Sequence, residues 1–405
     1  HQELKEILSN KNQFLILYST AHIGDILSSF DGSEKQQKYI DSDLEYISTM
    51  TYDRCISIEG EKVVVDYYAP KELFEQRISS RHLLSDIATK GLSSMFEGFD
   101  IPEEVLDSFN DRIKSISIES ILSDTLNDPE KTEQIEKFFP GLKENTTFEG
   151  LINGVIRMIQ ELNENESYKD LRQTIQSGLS IKRDKIFDSK APFEIINKAY
   201  EKAGIERPDQ LKKSKHGPAW YNEICDEYIN LDMHGYQEDN VNTQKGRKET
   251  FKNTTEDAFH CAFASTCNFF ITNDGKAYKK AKKIFEKLGL QTVVMKPHEF
   301  VEYFKNYLDF ENDTATFYLI NEVIKSFGFY EEDMTDSKLR IYPIPYFLFD
   351  FFNKIMVIVN NDEEIDSIIL SRNNPTHNFL FPIEISRLIS RLITNFGIDD
   401  EAFGE

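Results

Sequence analysis

Hydrophobic positions near the start of the chain fall into short blocks with different periods. Residues 14–19, FLILYS, form a compact apolar run of strand length. TAHIGDILSSF follows with Ile23, Ile26 and Leu27 at helical spacing, and 34–50 predicts a second helix with Leu44, Ile47 and Met50 on one face. DRCISIEGEKVVVDYYAP, 53–70, reads as two short strands around a glycine turn. KELFEQRISSRHLLSDIATKGLSSMF then returns to helix.

From about 80 to 220 helix follows helix, punctuated by Pro102, Pro129, Pro140, Pro192 and Pro208. LINGVIRMIQEL and FEIINKAYEKAGI repeat apolar residues every three to four positions, and no repeat of fixed period is present. Helix–strand alternation resumes near 221. WYNEICDEYINLDMHGY and 255–267 read as helices, NFFIT as strand, 276–288 as helix, QTVVM as strand and HEFVEYFKNYL as helix. Such alternation predicts a mostly parallel central sheet with helices on its faces. Beyond about 308, IMVIVNN and EIDSIIL resemble a hairpin and PIEISRLISRLITNF a helix. The expected organisation is a core built from 1–78 and 221–308, a large helical insertion at 79–220 and a C-terminal α+β extension at 309–405.

Composition narrows the class. The chain has 405 residues, 40% hydrophobic and 29% charged, as expected of a soluble globular protein with a sizeable core. Its formal charge of −23 repels polyanions at long range, so a nucleic-acid partner would need a local basic patch. Cys55, Cys225, Cys261 and Cys267 have neither CxxC nor zinc-finger spacing, which suits a reducing, cytoplasmic setting. The polar start HQELKEILSNKNQF lacks a secretory pattern, and the greasiest run, YPIPYFLFDFFNKIMVIV, is broken by prolines and charges, so no membrane span is expected. Phosphate-binding glycine loops, a G-x-S-x-G elbow and H-E-x-x-H are absent from the sequence.

The stretch TEDAFHCAFASTCNFFITND, 255–274, carries the candidate chemistry. A helix from Asp257 to Cys267 spans roughly 15 Å, and the strand after it runs back over a similar length. Asp274 therefore returns beside Asp257, at the carboxyl edge where open α/β sheets hold ligands. If the first strand is parallel, it ends at Ser19 on that edge and brings His22 and Asp25 to meet His260. Clustered carboxylates of this kind suit Mg²⁺ or Mn²⁺. Asp257 also fits a helix first turn, and Asp274 an ordinary turn after a strand. His260, one turn after Asp257, can orient that carboxylate, donate to a phosphate or act as acid/base. Asn273 either touches a phosphate or shapes the turn.

Residues 276–287 hold six lysines and one glutamate, with Lys276, Lys279, Lys280 and Lys283 on one face. This patch either holds a phosphate backbone by charge or is the solvated side of a helix packing Ala277, Ile284 and Leu288 inward. LKKSKHGPAWYN, with Trp220 and Tyr221, either stacks on unpaired bases or is a structural loop. QKGRKETFK, 244–252, either closes over a substrate or links two helices.

DAFHCAFASTCNFFITND resembles the third and fourth acidic motifs of PIN-like nucleases, with an Asp opening a helix and another ending the next strand as TND. LYSTAHIGD is similar to a variant branch in which YS-x-AH-x-x-D replaces the usual first aspartate, and DLEYIS (43–48) and LDMHGYQED (231–239) also look like that branch. The resemblance covers about 14–78 and 221–305 and implies a PIN-like three-layer α/β sandwich. It further implies a metal-dependent nuclease, most of all an endoribonuclease, with a toxin-like or phage-defence role. Asp25, Asp257 and Asp274, with Asp43 or Glu72 as the middle acid, would hold the metal, and Lys276, Lys279 and Lys280 the substrate. The alternatives are a single-stranded DNA nuclease and an inactive PIN-like scaffold. Either way, the helical insertion or C-terminal extension is expected to meet a protein partner or a second copy.

Overall fold

The computed structural model describes residues 2–9, 14–30, 32–79, 117, 141–147, 150, 167–204, 207, 217–238, 251–309, 313–373 and 377–397. The N-terminal elements are α1 (Gln2–Leu8), β1 (Tyr18–Ser19), α2 (Thr20–Ser29), α3 (Glu34–Thr51), β2 (Arg54–Glu59), β3 (Lys62–Tyr67) and a helix α4 over 70–79. β1 runs parallel to β2, with Tyr18 opposite Cys55, and β2 turns back antiparallel into β3 through Gly60 at φ +63°. Ile23 and Leu27 of α2, Ile40 and Leu44 of α3, and Phe74 of α4 close over Tyr18 in a small core. The FLILYS run contributes only its last two residues to a ladder; residues 14–17 lie outside any strand.

Next come α5 (Ser167–Gly178), α6 (Arg183–Ile186), α7 (Pro192–Ala203), α8 (Ala219–Met233), α9 (Phe251–Ala264), β4 (Phe269–Ile271), α10 (Gly275–Leu288), β5 (Val293–Met295) and α11 (Pro297–Tyr307). Pro192 at the first turn and Gly204 in the left-handed region bound α7, as punctuation of this kind dictates. β4 and β5 pair in parallel across α10, a crossover of the expected type. The mostly parallel central sheet takes a different form: β1–β2 and β4–β5 are separate parallel pairs, and no ladder among the described residues joins β1 to β4. Ile186 and Ile196 from the helical middle share one core with Tyr228, Leu231, Ala262, Ile284 and Phe285. The described helices of that middle therefore pack as part of the second half of the core. LINGVIRMIQEL, QKGRKET (244–250) and residues 211–216 lie outside the described residues.

The C-terminal region is α12 (Asp313–Ser326), β6 (Tyr330–Asp333), β7 (Ser337–Leu348), β8 (Phe352–Asn360), β9 (Ile365–Ser371) and α13 (Phe381–Phe396). The β8–β9 hairpin and the final helix agree with the sequence pattern, within an antiparallel sheet of order β6-β7-β8-β9. β7 is not legible in YPIPYFLF because Pro343 and Pro345 argue against a strand. The ladder accommodates them by breaking register between Pro343 and Leu348. Trp220 stacks on His377 with ring centroids 4.1 Å apart, and Tyr221 is buried, so these rings are packing elements rather than a platform for bases. Among the described residues no helix is long and apolar enough to cross a membrane.

One close approach holds the two halves of the core in contact. Gly24 of α2 faces the buried Glu256 of α9, and a Cβ at position 24 would overlap the Glu256 carboxylate. Gly24→Ala should therefore lower stability by about 1–3 kcal/mol, read as a lower Tm, because the buried Glu256 carboxylate must give up its place.

Candidate active site

Ser19 ends β1 and caps α2, and its backbone N–H donates to His22 Nδ1 at 3.0 Å. That bond makes Nδ1 the acceptor and leaves the ring proton on Nε2. One turn on, Asp25 Oδ2 accepts from His260 Nε2 at 2.8 Å. The His22 and His260 rings meet edge to face, 4.5 Å between centroids. Four residues of β1–α2 and α9, remote in sequence, thus interlock: Ser19, His22, Asp25 and His260.

Asp257 precedes His260 by one turn of the same helix. α9 begins at Phe251, earlier than expected, so Asp257 sits nearly two turns in, beyond the reach of a first-turn dipole effect. Burial pushes its carboxyl up to about 6; Lys280 opposes this, while Asp274 and Asp25 add to it. Asp274 lies at the N-cap of α10, where its Oδ1 accepts from the Lys276 and Ala277 amides at 2.7 and 2.8 Å. The turn role is therefore real, and it leaves Oδ2 outside the cap. Tyr228 is fully buried nearby; burial, and after it Asp257 among the neighbouring charges, drives its hydroxyl well above the usual range. Asp25 and Asp274 thus both lie within electrostatic reach of Asp257.

His22 is pushed down to about 4, chiefly by burial, with His260 adding to it. At neutral pH it is therefore an uncharged ring that can donate through Nε2. His260, with Nε2 on Asp25, turns Nδ1 towards other partners.

Two of the lysines read as substrate contacts do other work. Lys280 is 3% exposed and pairs with Asp232 at 2.5 Å, while Arg172 binds the other Asp232 oxygen at 3.1 Å. Lys279 pairs with Asp188 at 2.8 Å. On the same helix, Lys283 meets Glu286 and Lys287 meets the buried Glu227, which also holds Arg207. The helix docks Lys280 and Lys287 onto the buried acids Asp232 and Glu227 of α8, since buried charges need partners, whereas Lys279 and Asp188 form an exposed pair. Lys276 is partly buried in the first turn of α10 and pushed down to about 8, mostly by burial, and the acids that act on it are Asp232 and Glu238. Asn273 is exposed, and its carbonyl accepts from Lys296 Nζ at 2.9 Å, so its backbone shapes the turn.

Asp43 is exposed on α3 and is not among the charges acting on Asp257. Glu72 acts on Tyr18, on the other core. Among the described residues no group of three or more His, Cys, Asp or Glu side chains is arranged to hold a metal ion. Sequence reasoning overlooked the network around LDMHGYQED. There His234 bonds Tyr200 and the Asn230 carbonyl, Gln237 bonds Asp188, and Glu238 bonds Gln176 and Arg183. The only trace in the sequence was an acidic stretch matching the basic helix in charge. No protein-family model, curated protein or solved structure matches the chain.

Two outcomes follow from this site. Lys280→Met should cost about 3–5 kcal/mol of stability, because it strips a partner from the buried Asp232. The second concerns pH, measured by melting in EDTA. His22 contributes stability above pH 6.5 that is lost as pH falls towards 4, since the unfolded chain binds the proton more readily. Asp257 does the reverse: its contribution is present below 3.8 and lost as pH rises to about 6. The two oppose each other in wild type. Asp257→Asn should make Tm climb more steeply between pH 4 and 6.5, and His22→Gln should flatten or reverse the climb.

Proposed function

We propose that the chain is a PIN-like, Mg²⁺- or Mn²⁺-dependent nuclease that hydrolyses phosphodiesters, with RNA as the substrate. The single observation that supports this reading is a carboxyl, Asp257, that burial pushes up to about 6 and on which the charges of Asp25 and Asp274 also act. A buried carboxylate with two acidic neighbours suits a nearby cation. Mg²⁺ takes only one or two protein carboxylates and completes its shell with water and substrate phosphates, so Asp257 and Asp274 suffice. Such a cation supplies a more acidic bound water and counter-charge at phosphorus.

The chain's own residues supply the rest. Asp25 holds the His260 ring, leaving Nδ1 to take or deliver a proton. His22 Nε2–H donates to a phosphate oxygen, and the Lys276 ammonium offers charge to the backbone. The choice of RNA, and a toxin-like or phage-defence role in the cytoplasm, rest on the family resemblance.

An inactive scaffold of the same fold is the second reading, favoured by one observation: Lys280 is buried and committed to Asp232. Purified protein incubated with labelled RNA or single-stranded DNA, with Mn²⁺ or EDTA, separates the readings. Mn²⁺-dependent RNA cleavage should fall by about a hundredfold in Asp257→Asn and Asp274→Asn, the scale for removing a group that acts on reacting charge. Preference for single-stranded DNA would change the substrate. Cleavage surviving both substitutions would refute the site, and no cleavage with no Mn²⁺-induced rise in Tm would leave the scaffold.

A further inference from the structure

A second site lies along β4. A cleft of about 1210 Å³ opens between residues 14–17, the start of β4, the β7–β8 turn and α13. That exceeds the roughly 300–1,000 Å³ of ordinary small-molecule pockets. Thr266 to Phe269 and Ile271 line it, and none of Asp25, Asp257 or Asp274 does, so it is distinct from the acidic cluster.

Its two sides differ in chemistry. One wall is apolar, with Phe14, Phe269, Phe300 and Phe347 around it. These rings meet edge to face, at 61° for Phe14–Phe300, 71° for Phe269–Phe300 and 61° for Phe269–Phe347. Edge-to-face clusters offer no parallel pair of faces to sandwich a base, and they suit a flexible hydrocarbon chain.

The opposite wall is cationic in a chain of net charge −23. Arg387 and Arg391 project from successive turns of α13 into the lining. Arg372 lies behind it, 4% exposed at its side chain, with Nη2 bonded to Asn268 and Glu384, which both line the cleft. Its Nε and Nη1 are buried without a hydrogen-bond partner. Arg54 adds a charge that acts on Arg387. Set against these four guanidinium groups are the Glu384 and Asp350 carboxylates. Glu384 holds Arg372 and Asp350 holds Arg391, so among the described residues Arg387 is the lining arginine without an acid bound to it, and an anion entering the cleft would supply that partner.

We propose that this cleft binds an acyl chain bearing an anionic head, carboxylate or phosphate, with the head at the α13 arginines and the chain along the phenylalanine wall. This site is independent of the nuclease reading.

The protein carries its own reporter. Its single tryptophan, Trp220, stacks on His377 and Phe379, which flank the lining residue Asn378. Tryptophan fluorescence of the full chain, titrated with oleate or oleoyl lysophosphatidate below their micelle concentrations, should change saturably. The tighter of the two identifies the head. Oleyl alcohol and acetate should each bind about tenfold or more weakly, as expected when a charge-assisted contact or the apolar chain is removed. Arg387→Glu should weaken oleate by a similar factor, with folding checked by circular dichroism, and Asp257→Asn should bind as wild type. Absence of saturable change with either anion would overturn the proposal. Equal binding of oleyl alcohol by wild type would overturn it too, and that comparison stands even if Arg387→Glu fails to fold.

Discussion

The acidic site depends on one buried carboxylate. Asp232, 1% exposed, takes Lys280 on one oxygen and Arg172 on the other. Those contacts tie α10 to the end of α8 and α8 to α5. An unpaired charge there would cost several kcal/mol, so the three side chains hold or fail together. The consequence is positional: α10 can start only where its second turn reaches Asp232, and that fixes its N-cap, Asp274, opposite Asp257. Lys280 also acts on Asp257 from beneath, opposing the rise that burial imposes. The lysine face is thus both the anchor of the helix and the counter-charge of the cluster above it.

What the sequence makes visible follows from how far each signal reaches. Periodicity is local, and it correctly marks α2, α3, α8, α10, α11 and the β8–β9 hairpin, whose apolar spacing is set by one packed face each. It fails at β7, where two prolines sit in a strand that breaks register to accept them. It also fails at the front, where FLILYS promises a strand and only Tyr18 and Ser19 join a ladder. Pairing is a property of two segments, and one segment's composition cannot report it.

The site divides the same way. Asp257 and Asp274 were legible because a helix and a strand between them form one short path of known length. The Asp25–His260 bond spans 235 positions and was reachable only by assuming that β1 shares the same edge. The lysines misled because charge count says nothing about exposure. Lys276, Lys279 and Lys280 read alike in sequence, yet one is partly buried in the first turn of α10, one crosses to an exposed Asp188 and one is buried. Asp232 and Glu227 gave the missing information, but only as acids on a neighbouring helix whose face was unknown.

On the nuclease reading this arrangement changes what a phosphodiester meets. With Lys280 committed to the buried Asp232, incoming phosphate would meet Asp257 and its acidic neighbours with less free positive charge than the lysine count suggests. The chain's net −23 adds long-range repulsion that short-range contacts must overcome. A divalent ion held by Asp257 and Asp274 would reverse the local sign at the place where the phosphate must sit. In a site with free lysines, metal and basic residues divide that task. If the nuclease reading holds, Lys280 serves the fold instead, and more of the substrate affinity as well as the turnover would fall to the metal.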